Sequence, residues 1–128
     1  MKTRVIKFRA WDKVKNTWIF KSNITPFSII GEITVFGMLN QYSIDKLDDI
    51  IILHFTGLND KSGQPIYEGD IVNHIDSADK CEIIFQNEIA MFLAQEIGDE
   101  KIGFNIDGTS EVIGNIYETP DLLNTPDL

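Results

Sequence analysis

Residues 50–75 read IIILHFTGLNDKSGQPIYEGDIVNHI, and this stretch decides the fold. Ile50 to Phe55 is a β-branched and aromatic run with apolar residues at both parities, the pattern of a central strand buried on both faces. Asn59-Asp60-Lys61-Ser62-Gly63 follows as a cluster of turn residues. Gly69 and Asp70 then lead into a second run, Ile71 to Ile75. Between the two runs Gly57, Gly63 and Gly69 leave the backbone free, while Pro65 restricts itself and Gln64. Ile66 and Tyr67 can anchor this otherwise polar loop to a core, and Asp70 can accept hydrogen bonds from nearby backbone amides. A loop stapled in this way needs no ligand to explain its residues.

Outward from this stretch the same pattern repeats. On the N-terminal side, Arg4 to Trp11 alternates, with Ile6, Phe8 and Ala10 on one face and Lys7 and Arg9 on the other. Asp12 to Asn16 is loop-like and Thr17 to Lys21 resumes as a strand, so residues 4–21 form a hairpin. Phe27, Ile29, Ile33 and Val35 share a face opposite Ser28, Glu32 and Thr34, with Gly31 marking a bulge or a close approach. Asn40 to Asp49 fits a loop and a short helix equally.

On the C-terminal side, Cys81–Phe85 and Ile89–Ala94 are expected to pair around Asn87-Glu88. Ile89, Phe92, Leu93 and Ile97 also have helical spacing, but the β-branched flanks favour a hairpin. Asp107-Gly108 is the strongest local hairpin signal and is expected to join Ile102–Ile106 to Glu111–Tyr117 through a type I′ turn. Pro120-Asp121-Leu122-Leu123 fits one helical turn, with Thr119 as its cap. The expected fold class is all-β, mainly antiparallel, with a short helical turn near the C-terminus. One compact unit is expected, made of two subdomains sharing a core, an N-terminal β-hairpin subdomain over 1–55 and a C-terminal subdomain over 56–128.

The chain has 128 residues, 43% hydrophobic and 24% charged, which is the composition of an ordinary globular protein and excludes disorder. No stretch approaches the roughly 20 apolar residues of a membrane span, so no membrane association is expected. No long apolar segment follows the basic start Met1-Lys2-Thr3-Arg4, which argues against a secretory signal. Cys81 is the only cysteine, so no internal disulfide forms, and a reducing cytoplasm fits.

The net charge of −9 is unevenly spread. Lys2, Arg4, Lys7, Arg9, Lys13, Lys15 and Lys21 fall in the first 21 residues against Asp12 alone, a local charge of +6, and the remainder carries −15. So acidic a body argues against wrapping nucleic acid over most of the surface. The basic strands are expected to lie across acidic ones and to stabilise the fold through many weak pairs. In the alternative, Lys7, Arg9, Trp11, Trp18 and Lys21 form a binding surface on which aromatics stack bases and cations hold phosphates. The ordinary role of Phe8, Trp11, Trp18 and Phe20 is buried packing.

Nothing in the chain has the form of a catalytic or cofactor motif. The metal-ligand types outside the acidic surface are His54, His74, Cys81, Asp70 and Asp76, without Cys-x-x-Cys or His-Glu-x-x-His spacing. His54, set in an apolar run, is expected to be a satisfied core residue. Cys81 shares a strand face with Ile83 and Phe85 and is expected to be a buried structural thiol. Asp48-Asp49, Asp99-Glu100 and Glu68 with Asp70 are expected to be solvated acids rather than an acid–base pair. A nucleophile elbow, a P-loop and a dinucleotide fingerprint are absent, and Asn59–Gly63 lacks the calcium-loop pattern. The chain is therefore not expected to be an enzyme or to take a cofactor.

Three segments carry a family likeness. They are Ile6-Lys7-Phe8-Arg9-Ala10-Trp11-Asp12-Lys13, the stretch from Phe55 to Val72, and the run Glu111-Val112-Ile113-Gly114-Asn115-Ile116-Tyr117-Glu118-Thr119-Pro120-Asp121-Leu122-Leu123. Ordered along the chain and spread from end to end, they resemble the YopX family of phage and prophage proteins. The resemblance implies a phage or prophage origin, a bacterial cytoplasm, and an SH3-like small barrel in the C-terminal half, packed against the N-terminal β-hairpins. It implies no activity. One departure is Glu88, where the family often has the glycine of an Asn-Gly or Asp-Gly turn. The function expected is a non-enzymatic protein-interaction module, by analogy of fold, with an unidentified host or phage protein as partner. A nucleic-acid-binding accessory protein using the basic hairpin is the alternative. Open sheet edges and negative charge together lead us to expect a monomer or weak homodimer.

Overall fold

The computed structural model of the chain describes residues 7–24, 49–77 and 79–124, with the backbone alone at 20–24. The strand expected over Phe27–Val35, and all but Asp49 of the segment Asn40–Asp49, lie outside the described residues. The described elements are β1 (Phe8–Asp12), β2 (Thr17–Ile24), β3 (Ile50–Asn59), β4 (Pro65–Tyr67), β5 (Asp70–Asn73), β6 (Lys80–Gln86), β7 (Met91–Glu96), β8 (Gly103–Asn105) and β9 (Glu111–Asn115), then a 3-10 turn, Pro120–Leu123. The pairs β1–β2, β1–β3, β5–β6, β5–β9, β6–β7 and β7–β8 are all antiparallel. The fold is all-β. Among the described residues no helix is long and apolar enough to cross a membrane. The chain divides after Gly57 into two compact units.

In the first unit β1 lies between β2 and β3. The β1–β2 turn is set by Asp12, whose Oδ1 accepts hydrogen bonds from the amides of Val14 (2.9 Å) and Lys15 (3.0 Å). Asn16 closes it at φ +52°, a conformation asparagine tolerates well. Ala10 is wholly buried, and Phe8, Ile19 and Ile50 pack against it. β3 differs from expectation. Leu53 and Phe55 are buried, whereas Ile52 and His54 are exposed. The strand thus buries alternate residues on one face, as an antiparallel sheet with one covered side does. His54 is accordingly a surface residue tilted against Phe8, with ring centroids 6.2 Å apart, and not a core histidine.

β3 ends in the second unit, where β4 is its neighbour in the sheet. The remaining strands form a five-stranded sheet in the order β8-β7-β6-β5-β9. Its inner face buries Val72, Cys81, Ile83 and Ala94 with Ile66 of β4, and Phe104, Ile106 and Val112 pack around them. The period-two pattern explains the choice, since Cys81 and Ile83 alternate along β6 and Ile83 pairs with Ala94. Asp70 is buried where the sequence places an amide acceptor, and its Oδ2 accepts the Tyr67 amide at 2.8 Å.

The Asp107-Gly108 hairpin does not form. β8 pairs with β7 and β9 pairs with β5, so the two strands flanking this dipeptide lie at opposite edges of the sheet. Neither residue has the positive φ that a type I′ turn requires. Asp107 instead closes an Asx turn, its Oδ1 accepting from the Thr109 amide and hydroxyl. Joining opposite edges through the short span 106–110 requires the sheet to curl.

Segment 91–96 is strand and not helix. Ile89 and Ala90, expected to begin that strand, belong to the turn 87–90, with Ala90 at φ +53°. The turn Pro120–Leu123 forms as expected, but Thr119 does not cap it with its side chain. Its hydroxyl donates to Asn115 O (2.9 Å) and accepts from the Asn115 amide (3.0 Å).

Candidate functional site

Three exposed apolar residues of the second unit lie at the far end of the β6–β7 hairpin. Phe85 pairs with Phe92 and Gln86 with Met91. β5 pairs with β6 only at Lys80, Cys81 and Glu82, and β8 pairs with β7 only at Leu93, Ala94 and Gln95. The distal residues therefore overhang both neighbouring strands. Phe85, Ile89 and Met91 are 40%, 54% and 45% exposed, and Phe85 meets Phe92 edge-to-face at 5.0 Å. Apolar parity alone put Phe85 in the core with Cys81 and Ile83. The unequal lengths of the neighbouring strands, which no local pattern records, leave it outside. Ala90 holds a left-handed turn, which strains a residue with a Cβ by about 1 kcal/mol. A glycine at position 90 would relax it, whereas Glu88 lies outside the left-handed region.

A second feature lies beside β5 and β9. Lys61, His74, Ile75, Thr109 and Glu111 line a groove of about 490 Å³. Lys61 Nζ bridges Glu111 Oε2 at 3.1 Å across it, and Ile75 is 74% exposed. His74 is buried and stacks on Phe104 with centroids 4.8 Å apart. The Asp76 amide donates to His74 Nδ1 (3.1 Å), so the ring proton sits on Nε2, which donates to Asn105 O at 3.2 Å. Asp107 Oδ2 lies 3.9 Å from the same nitrogen. The Thr109 hydroxyl and amide hold the Asp107 carboxyl below its ordinary range, slight burial opposes them, and His74 adds to the lowering. Both imidazole nitrogens are engaged with the backbone, so this histidine is built into the fold.

Asp60, next to Lys61 in the chain, is buried and fully engaged. Its Oδ1 accepts from the Ser62 amide (2.9 Å), the Ser62 hydroxyl (2.8 Å) and the Gln64 amide (2.9 Å), and its Oδ2 accepts from the Val112 amide (3.0 Å). Burial pushes this carboxyl up, but hydrogen bonds from Val112, Ser62 and Gln64 outweigh it and bring the pKa down from 3.8 to about 2. Cys81 is fully buried as expected, and burial pushes its thiol up against a Ser77 hydrogen bond, with Glu96 and Asp79 adding to the rise. A protonated, inaccessible thiol is a poor nucleophile. Among the described residues no three His, Cys, Asp or Glu side chains are grouped to hold a metal ion.

The residues offered by the sequence as a basic, aromatic surface divide. Arg9, Trp11 and Trp18 come together: the Arg9 guanidinium lies 4.6 Å from the Trp18 ring centroid, and Trp11 meets Trp18 edge-to-face at 4.9 Å. Arg9 and Trp11 are each 5% exposed, so two of the five are interior. Lys7 sits apart with its ammonium 4.4 Å from the Phe55 ring. Lys21 is in β2, and its side chain lies outside the described residues.

A family model described as YopX protein matches residues 7–124. No curated protein matches the chain. Among solved structures, the chain is similar to the crystal structure of protein EF1440 from Enterococcus faecalis, at 22% identity and a TM-score of 0.57 over 95% of this chain and 100% of that one. At that identity the likeness is one of fold.

Proposed function

We propose that this chain, which belongs to the YopX protein family, is a non-enzymatic protein-interaction module that docks through the overhanging end of the β6–β7 hairpin. The observation that carries this reading is the exposure there of Phe85, Ile89 and Met91. Aromatic residues and methionine are the types enriched at protein interfaces, and the register puts Phe85 and Met91 on opposite faces of the hairpin end, so a partner would grip the end from both sides. The engaged nitrogens of His74 and the buried Cys81 thiol support a role without chemistry. The curled antiparallel sheet supports reading the second unit as an SH3-like small barrel. The partner is a host or phage protein, and the setting is a phage or prophage product in the bacterial cytoplasm.

The test is affinity capture from bacterial lysate with the wild-type chain and with the double variant Ile89→Glu/Met91→Glu. Both positions are exposed, so the variant is expected to keep its circular dichroism spectrum and melting temperature. A specific partner retained by the wild type and lost by the variant supports the reading. A partner held equally by both removes the hairpin end from it.

The alternative is nucleic-acid binding by the β1–β2 hairpin, where Arg9, Trp11 and Trp18 form one cluster. It ranks second because Trp11 and Arg9 are buried and the Arg9 guanidinium faces an indole. Single-stranded DNA binding that collapses between low and moderate salt would promote it.

A further inference from the structure

We infer that β9 is a guarded pairing edge: Asp60 and Thr119 occupy the backbone amides through which a second copy of this chain would otherwise add a strand. β9 is the outermost strand of the five-stranded sheet. Its inner side is matched to β5, with Glu111 opposite Asn73, Val112 opposite Val72, Gly114 opposite Ile71 and Asn115 opposite Asp70. In an antiparallel ladder alternate amides point away from the partner strand. Two such amides belong to Val112 and Asn115, which are three apart because the ladder shifts register between Ile71 and Val72, and both are taken by side chains. Val112 N donates to Asp60 Oδ2, and Asn115 N donates to Thr119 Oγ1, each at 3.0 Å.

The carbonyls flanking them are engaged as well. Ser110 O accepts from the Lys61 amide (3.0 Å), and Asn115 O accepts from the Thr119 amide (3.0 Å) and hydroxyl (2.9 Å). A carboxylate and a hydroxyl thus stand where the carbonyls of a neighbouring strand would lie. An exposed row of such groups is a template for another chain, which natural sheets block in various ways.

Each guard is itself held in place. Asp60 is fixed by Ser62 and Gln64. Thr119 occupies space that only a glycine at 114 leaves, because a Cβ there would collide with the Thr119 hydroxyl and come within 2.7 Å of Leu122 Cδ1. Gly114, Asn115 and Thr119 therefore form one device, and Asp60, placed 52 residues before Val112, is the other half of it. The occupant excluded is a second copy because two β9 edges related by a two-fold axis are mutually antiparallel and self-complementary.

The test uses the full chain. Asp60→Ala and Thr119→Ala each delete the acceptor together with the side-chain bulk that stands in the path of an added strand. The wild type is expected to sediment as a monomer at concentrations where the double variant forms a dimer. Self-association should tighten about ten-fold or more, since each recovered backbone bond is worth about five-fold. Val112→Pro added to the double variant deletes one outward N–H without touching the β5 ladder, and it is expected to restore the monomer.

A folded double variant that remains monomeric overturns the inference. So does a dimer that survives Val112→Pro, or a wild type whose own dimer protects the Val112 and Asn115 amides from exchange. If the double variant does not fold, the two single variants decide, and monomeric behaviour in both counts against it.

Discussion

His74 Nε2 reaches the carbonyl oxygen of Asn105 at 3.2 Å, although β6 and β7 lie between β5 and β8 in the sheet. Residues separated by two intervening strands can meet only if the sheet bends back on itself, so the imidazole closes a curl that the ladder alone leaves open. His74→Ala removes that bond, the stack on Phe104 and the acceptor for the Asp76 amide, and it strands a carbonyl. It is expected to destabilise the second unit by about 3 kcal/mol in urea denaturation. His74→Phe keeps the stack and is expected to lose roughly half as much. Equal losses in the two variants would show that the stack contributes nothing, and an undiminished stability in His74→Phe would show that the hydrogen bonds do not matter.

Gly114 has a steric reason to be glycine. Gly114→Ala is expected to lower stability by about 1–3 kcal/mol, because Thr119 and Leu122 must move to admit a methyl group. In a double-mutant cycle with Thr119→Ala the double variant should lose less than the sum of the two single losses, since the smaller side chain relieves the collision. Additive losses would place the strain elsewhere.

Asp60 makes the fold acid-sensitive in a defined window. Its carboxyl titrates near 2 in the folded chain and near 3.8 when unfolded. A depressed folded value means that its contribution is present above about pH 4 and is lost as pH falls from there towards 2. The melting temperatures of wild type and Asp60→Asn are therefore expected to differ at pH 7 and to converge by pH 2. A constant difference across that range would contradict the assignment.

Glu82 has the opposite sign. Burial pushes its carboxyl up, and the charge on Glu68 adds to the rise. A raised carboxyl keeps its proton in the folded chain after the unfolded chain has lost it, so the penalty is absent below the unfolded value near 4.5, grows from there and is complete above the folded value. Glu82→Gln is expected to raise the melting temperature at pH 7 and to leave it unchanged at pH 3. A loss at pH 7 would show that the charge is needed.

Arg9 is held by an aromatic face as much as by its charge. Arg9→Lys keeps the charge but loses the planar stack on Trp18, and it is expected to destabilise by about 1 kcal/mol and to shift the tryptophan emission. Unchanged fluorescence and stability would show that a point charge suffices.

Much of the architecture was legible. Alternation in Thr17–Lys21 and Cys81–Phe85 marks strands, because the pleat sends successive side chains to opposite faces. Asp12 and Asp70 announce their turns through residue chemistry, since a short carboxylate can reach amides one to three positions away. The candidate site was less legible. Phe85 carries the parity of a core residue, and only the unequal lengths of β5, β6 and β8 expose it. His54 carries the neighbourhood of a core residue, and only the single covered face of β3 puts it outside.

The sequence by itself determined the all-β class, the antiparallel β1–β2 and β6–β7 hairpins and the closing helical turn, because each depends on contacts between near neighbours. The tertiary structure decided which strands are edges, and with that the fate of Asp107-Gly108. The dipeptide has the composition of a tight hairpin, but its two flanks are claimed by β7 and β5, and the inner-face core of Val72, Cys81, Ile83 and Ala94 is complete only with that pairing. A two-residue turn signal is worth on the order of 1 kcal/mol, whereas burying each large core side chain contributes roughly 1.5–3 kcal/mol. The summed burial outweighs the local preference, and the chain follows the core.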